Sequence, residues 1–235
     1  MFKKLWIKEL KGVILLPTLV AMALTIAFHI YLRTRSGVWP SQAILALGGL
    51  PMILPLIWPL IMGMLTFHFE WNTNSIYLLL SLPVKGHTVI AAKSTALLTG
   101  IVGLILTTLG SYALLLAPLG NLLQYWNWSD FFKIILILGI YLLAILMFFI
   151  ITSQFAYLVS RLVPRLKGLV LVFALIFSYW ISGKLGQWLN PVLSWIPKIK
   201  IPIQASFSFG RGLPNTLDLD LGALSLILLI TAGFF

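Results

Sequence analysis

Long apolar runs constrain this chain more than any other feature of its sequence. A helix that crosses a hydrocarbon core of about 30 Å needs roughly 17–25 apolar residues. Five runs of that length or longer cover Val13–Leu32, Ile44–Phe67, Val89–Leu119, Phe131–Val159 and Gly168–Leu185. A sixth begins near Leu219 and reaches Phe235 at the lower limit of that length, which leaves open whether the span continues beyond Phe235.

Composition places these runs in a membrane, because 60% of the residues are hydrophobic, 9% are charged and the mean hydropathy is +1.06. The runs are continuously apolar, whereas barrel strands alternate apolar and polar residues. We therefore expect an all-α polytopic bundle of about six transmembrane helices. It forms a single transmembrane domain over 1–235. Pro51, Pro55 and Pro59 predict a kink in the second span.

The N-terminal segment 1–12 reads as an amphipathic helix lying in the membrane interface. Its candidate residues are Phe2, Lys3, Lys4, Leu5, Trp6 and Lys8, with Leu10 extending the apolar face and Lys11 the basic one. A secretory signal peptide is the alternative, since a basic start precedes an apolar run. The long basic region and the lack of a small-residue cleavage pattern near Arg33–Ser36 argue against it.

Lysines and arginines near the span ends predict the orientation. With the N-terminus inside, the cytoplasmic side holds Lys3, Lys4, Lys8, Lys11, Lys85, Lys93, Arg161, Arg165 and Lys167. The opposite side holds Arg33, Arg35, Lys133, Lys184, Lys198, Lys200 and Arg211. We expect a multi-pass protein of the cytoplasmic membrane with a cytoplasmic N-terminus. The net charge of +11 fits contact with anionic membrane lipid and requires no nucleic acid.

Motifs for chemistry are missing from the sequence. There is no cysteine, no HExxH pair and no GxSxG elbow, so we predict neither catalytic residues nor a metal site, and no cofactor bound by the chain. Ala92-Lys93-Ser94 resembles the end of a phosphate-binding loop but lacks both glycines, and we interpret Lys93 as a snorkelling lysine. The acidic residues fall at or beyond span ends, which weakens the case for an ion-coupled transporter, because such proteins usually carry ionisable groups within the membrane. We therefore expect no enzyme, and any ATP hydrolysis belongs to another subunit.

The segment Phe67–Thr88, between the second and third spans, is too polar at its start to cross a bilayer and too apolar afterwards for a simple loop. Glu70, Asn72, Thr73 and Asn74 favour a helix start. A short helix would then present apolar side chains and end at Pro83. We predict a docking element here. The alternative is a segment that folds back on the bundle or lies in the interface.

The chain resembles the membrane subunit of ABC transporters of the ABC-2 permease family. The resemblance rests on the basic amphipathic N-terminus, the six-span layout, and the block from Phe69-Glu70 through Leu80-Ser81-Leu82-Pro83-Val84 to Lys93. It implies a cytoplasmic coupling helix within 68–87 that binds a separate ATPase subunit. The implied docking residues are Glu70, Asn74, Ile76, Tyr77, Leu78, Leu79, Leu80, Pro83 and Lys85.

The same resemblance implies a working complex with two ATPase subunits, which bind ATP and Mg, and a second permease subunit, identical or homologous. The chain would be its translocating subunit, with export the favoured direction and the substrate unspecified. Segment 186–218 would lie outside the cytoplasm, where short helices are expected to cap the exit of the pathway. The alternatives are an ion-coupled secondary transporter and a membrane assembly factor.

Overall fold

The computed structural model describes residues 2–75, 85–116, 128–189, 191, 198–202 and 216–220. Its α-helices are α1 (Phe2–Glu9), α2 (Leu15–Thr34), α3 (Ser41–Gly48), α4 (Ile53–Asn72), α5 (Gly86–Leu116), α6 (Trp128–Arg161) and α7 (Lys167–Leu189). Shorter turns are a π-helix at Leu10–Ile14 and 3₁₀ helices at Leu50–Met52 and Pro164–Leu166. The strands are β1 (Lys198–Pro202) and β2 (Thr216–Asp220).

Within the described part of the chain, five helical stretches are long and apolar enough to cross a membrane. They are Phe2–Thr34, Gln42–Asn72, Gly86–Leu115, Gly139–Arg161 and Pro164–Leu185. The prediction of a multi-pass helical membrane protein is confirmed at this level. The sixth span falls mostly outside the described residues, but Leu219 and Asp220, at its expected start, belong to β2.

The N-terminal segment runs directly into the first span. Glu9 keeps helical dihedral angles, and the π-helix at Leu10–Ile14 joins α1 to α2 without a break. Leu5 and Glu9 are buried against α5, while Phe2 and the lysines of α1 are exposed. The amphipathic pattern expected for an interfacial helix therefore also serves to pack α1 against another helix.

The second span is interrupted, as its prolines predict. The helix α3 ends at Gly48, a 3₁₀ turn with Pro51 follows, and α4 starts at Ile53. A side chain at Gly48 would lie 2.8 Å from atoms of both Leu115 and Tyr112, so a glycine is needed for α3 to approach α5. The break and this close approach together place α3 beside the C-terminal end of α5.

Helix α5 is the centre of the bundle, because it packs against α1, α2, α4 and α6. The main core cluster contains Ile14, Met62, Ala96, Leu97, Ile101, Leu146 and Ile150. Glycines of α5 allow the close approach of the π-helix and α2, since a side chain at Gly100 would lie 2.9 Å from Ile14 and one at Gly103 2.7 Å from Met22. Small residues at such contacts are typical of helix packing in membranes.

Helix α7 lies at the edge of the described bundle and packs on α6. Most of its apolar side chains, including Phe173, Phe177 and Trp180, are exposed. In a membrane this face contacts lipid or another chain, and its exposure agrees with a transmembrane assignment.

A small antiparallel ribbon occupies part of the segment 186–218, where we expected short helices. β1 pairs with β2 in a register that places Lys198 opposite Asp220 and Lys200 opposite Asp218. The expectation of helices was wrong at 198–202 and 216–218. Alternation of basic and apolar residues, as in Lys198–Ile201, is typical of strands.

A buried charge cluster as candidate functional site

The start of the predicted docking segment ends α4, and a helical residue follows at Ser75. Glu70 and Asn72 lie in the last turns of α4. The Thr73 hydroxyl donates to the Phe69 carbonyl at 2.8 Å, and Asn74 has a φ of 57°. A left-handed residue just past a helix is a common stop signal, and asparagine tolerates it better than most residues. Glu70 and Asn72 thus belong to α4. Of the residues predicted to form the new helix, the structure describes Ser75, which is helical.

One turn before that end, Glu70 joins a cluster of four charged side chains from α1, α4 and α5. The Lys93 Nζ atom lies 2.8 Å from Glu9 Oε2 and 2.8 Å from Glu70 Oε1. Lys8 Nζ lies 3.3 Å from Glu70 Oε1 and 3.6 Å from Glu9 Oε1. The ammonium of Lys93 also sits 5.1 Å from the centre of the Phe67 ring. Two carboxylates and two ammonium groups thus neutralise one another.

The cluster is buried except at Lys8. The side chain of Lys93 is 0% exposed, that of Glu9 3% and that of Glu70 6%, whereas that of Lys8 is 56% exposed. The interpretation of Lys93 as a snorkelling residue was wrong, because its ammonium is held inside the bundle by two carboxylates. The carboxylate of Glu70, which was predicted as a polar docking anchor, points to Lys93 and Lys8.

Burial makes this cluster a rigid joint between three helices. Separating buried opposite charges leaves an uncompensated charge in a poorly solvated site, which costs several kcal/mol. A displacement of α4 at Glu70 must therefore carry Lys93 of α5 and Glu9 of α1 with it, or break the cluster. The helices on both sides of the predicted docking segment are mechanically linked by these side chains.

A second buried polar contact lies next to the cluster along α5. The Ser94 hydroxyl donates to Gln154 Oε1 of α6 at 3.1 Å, and both residues are buried. The Gln154 Nε2 atom has no hydrogen-bond partner among the described residues. Polar side chains within membrane spans commonly bond a neighbouring helix, and the contact between Ser94 and Gln154 is of that kind.

An aromatic and cationic group lies at the same end of the bundle, where α4 meets α6. Arg161 donates from Nε to the Tyr157 hydroxyl at 2.9 Å, and its guanidinium lies 5.5 Å from the centre of the Trp71 ring. The His68 Nδ1 atom is 3.2 Å from the same Tyr157 hydroxyl. The sequence identified Arg161 only as a topology signal and did not single out Trp71 or Tyr157.

The remaining predicted docking residues are placed only in part. Asn74 and Lys85, on either side of the segment, are exposed at the end of the bundle that carries the charge cluster. Ile76, Tyr77, Leu78, Leu79, Leu80 and Pro83 lie outside the described residues. The interfacial set is described from Phe2 onward, with Lys3, Lys4 and Lys8 exposed, Trp6 half-buried and Leu5 buried.

No group of three or more His, Cys, Asp or Glu side chains that could hold a metal ion occurs among the described residues. No protein-family model, curated protein or solved structure matches the chain.

Proposed function

We propose that this chain is the membrane-spanning permease subunit of an ABC transporter of the ABC-2 type, with ATP hydrolysed on a separate ATPase subunit. The observation that carries the proposal is the buried cluster of Glu9, Lys93 and Glu70. It joins three helices at the two ends of the segment between α4 and α5. An ATP-driven push on that segment would move the three helices as one unit.

The docking site in this proposal is the segment from Asn74 to Lys85. Apolar side chains at Tyr77 and Leu79 would enter a cleft of the ATPase, and Lys85 would flank the contact. The sequence supports an external energy source, because it carries no complete phosphate-binding loop. The complex would hold two ATPase subunits and a second permease subunit, in the cytoplasmic membrane with the N-terminus inside, and would work as an exporter.

Substitution in the docking segment tests the proposal. We expect Tyr77→Ala and Leu79→Asp to lower substrate-stimulated ATPase activity of the complex by at least fivefold, because each removes apolar contact area at the docking site. Membrane insertion and Tm of the isolated subunit should be unchanged. Leu169→Ala, on the exposed face of α7, is the matched control for losing an exposed apolar side chain. Unchanged ATPase activity and unchanged ATPase binding in both variants would refute the docking assignment.

A second candidate function is an ion-coupled secondary transporter, and the same cluster favours it. Buried ionisable groups in membrane helices often mark ion or proton pathways. Glu70 Oε2 is buried and has no hydrogen-bond partner among the described residues. The two candidates differ in their energy source. In the ABC transporter, uptake into inverted vesicles needs ATP and survives a protonophore, whereas in the ion-coupled transporter it needs the gradient and proceeds without ATP.

A further inference from the structure

The turn between α6 and α7 combines basic and exposed apolar side chains at one end of the bundle. It reads Arg161-Leu162-Val163-Pro164-Arg165-Leu166-Lys167. Leu162 is 79% exposed and Leu166 54% exposed, and Arg165 and Lys167 are exposed as well. Apolar side chains at a membrane-facing turn gain free energy by entering the interface, where lipid phosphates meet basic residues.

Arg161 is held in a fixed position beside this turn. Its guanidinium lies 4.9 Å from the centre of the Tyr157 ring and 5.5 Å from that of the Trp71 ring. Its Nε atom and one terminal nitrogen donate to the Tyr157 hydroxyl. Among the described residues no carboxylate lies within ion-pair distance of Arg161. A guanidinium fixed in this way binds an oxyanion with two parallel hydrogen bonds at a small entropic cost.

The charge balance at this end favours an anionic occupant. The acidic side chains described here, Glu9 and Glu70, are both neutralised inside the buried cluster. The basic side chains that remain at the surface are Lys3, Lys4, Lys11, Lys85, Arg161, Arg165 and Lys167. Because no described carboxylate offsets them, the surface attracts anions, most strongly where the fixed Arg161 adjoins the turn that carries Arg165 and Lys167.

We propose that Arg161, Arg165 and Lys167 form a binding site for the phosphate headgroup of an anionic phospholipid, with Leu162 and Leu166 inserted beside its glycerol and acyl chains. A lipid explains the exposed leucines, which a soluble anion does not. The site is independent of the ATPase contact, because it lies on the turn between α6 and α7 and not on the segment between α4 and α5.

The experiment is native mass spectrometry of the purified subunit with added phosphatidylglycerol or phosphatidylcholine. We expect preferential retention of phosphatidylglycerol. Arg165→Gln should weaken it about fivefold, since a basic residue near an anionic surface contributes on the order of 1 kcal/mol. Arg161→Gln should weaken it at least as much. A rise in salt should reduce retention by screening.

Arg35→Gln is the matched control. Arg35 also lies over an aromatic ring, 5.5 Å from the centre of Tyr31, but it follows the C-terminal end of α2, away from the turn between α6 and α7. The substitution should leave lipid retention unchanged. Arg165→Gln also guards against misfolding, since Arg165 is exposed while Arg161 packs against two rings. Equal retention of both lipids by the unsubstituted protein, or unchanged retention in Arg165→Gln and Arg161→Gln, would overturn the proposal.

Discussion

At the residue scale, Lys93 is the most deeply buried charged side chain among the described residues. It is fully buried and pairs with both Glu9 and Glu70. We expect Lys93→Met to destabilise the subunit by about 3–5 kcal/mol, because two buried carboxylates would keep only the half-exposed Lys8 as a partner. Thermal unfolding in detergent measures this change. Lys85→Met is the control, because it removes an exposed lysine eight residues before Lys93. It should leave the Tm within about 1 °C of that of the unsubstituted protein.

The same cluster offers a test by compensation. The triple variant Lys93→Met, Glu70→Gln and Glu9→Gln removes all three buried charges together. It should be more stable than Lys93→Met alone, since neutral amides cost less to bury than unpaired carboxylates. If the single variant unfolds at the same temperature as the unsubstituted protein, the side chains are not held as a buried ion cluster.

Part of this cluster could be read from the sequence, in the position of Glu9 relative to the apolar residues around it. Leu5, Glu9 and Val13 lie four residues apart, so Glu9 occupies the apolar face of its helix. An acidic residue on a buried face needs a cation, and Lys93 lies within an apolar run. Pairing Glu9 with Lys93 could not be predicted, because it depends on how α1 and α5 meet in space.

At the scale of elements, the contact between α4 and α6 depends on a single glycine. A Cβ atom at Gly63 would lie 1.9 Å from the Ser153 Oγ atom, whose hydroxyl donates to the Ile150 carbonyl at 2.7 Å. We expect Gly63→Ala to lower the free energy of unfolding by about 1–3 kcal/mol, because the helices must separate or Ser153 must leave its position.

Gly110→Ala is the control for this prediction. A Cβ at Gly110 would meet no atom within 4 Å, so the change should leave stability unchanged or raise it by up to about 1 kcal/mol through helix propensity. Equal Tm values for the two alanine variants would contradict the close contact between α4 and α6.

The observed ends of the helices agree with the predicted ones where a proline or the end of an apolar run sets them. A kink in the second span was predicted from Pro51, Pro55 and Pro59; the break occurs at Pro51, while Pro55 and Pro59 lie within α4. The ends of α5 to α7 lie within a few residues of the apolar runs. The π-helix at Leu10–Ile14 and the ribbon of β1 and β2 were not predicted. A π-turn leaves the apolar pattern almost unchanged, and the ribbon depends on pairing between residues far apart in sequence.

At the scale of the whole molecule, the described helices fix which termini and turns share a membrane face. Lys8 contacts Glu70 and His68 contacts Tyr157, which brings the N-terminus, the end of α4 and the end of α6 to one face. Because the chain has no cysteine, single cysteines can be labelled without background. Lys3→Cys and Arg165→Cys should react with a membrane-impermeant maleimide from one side, and Ser36→Cys from the other.

The expected side for Lys3→Cys and Arg165→Cys is the cytoplasmic one. Labelling of these two positions from opposite sides of the membrane would contradict the arrangement of the helices. Labelling of both from outside the cell would leave the fold intact but reverse the proposed orientation, and with it the accessibility of Lys85 to a cytoplasmic ATPase.

The proposed function requires an ATPase that docks on the segment between α4 and α5. The most direct measurement is purification from native membranes in mild detergent with a lysine-reactive crosslinker, followed by identification of the linked peptides. We expect a stoichiometric ATPase linked to this chain through Lys85, which is exposed beside the segment. A protein that purifies without any ATPase, or an ATPase linked only through residues at the opposite membrane face, would contradict it.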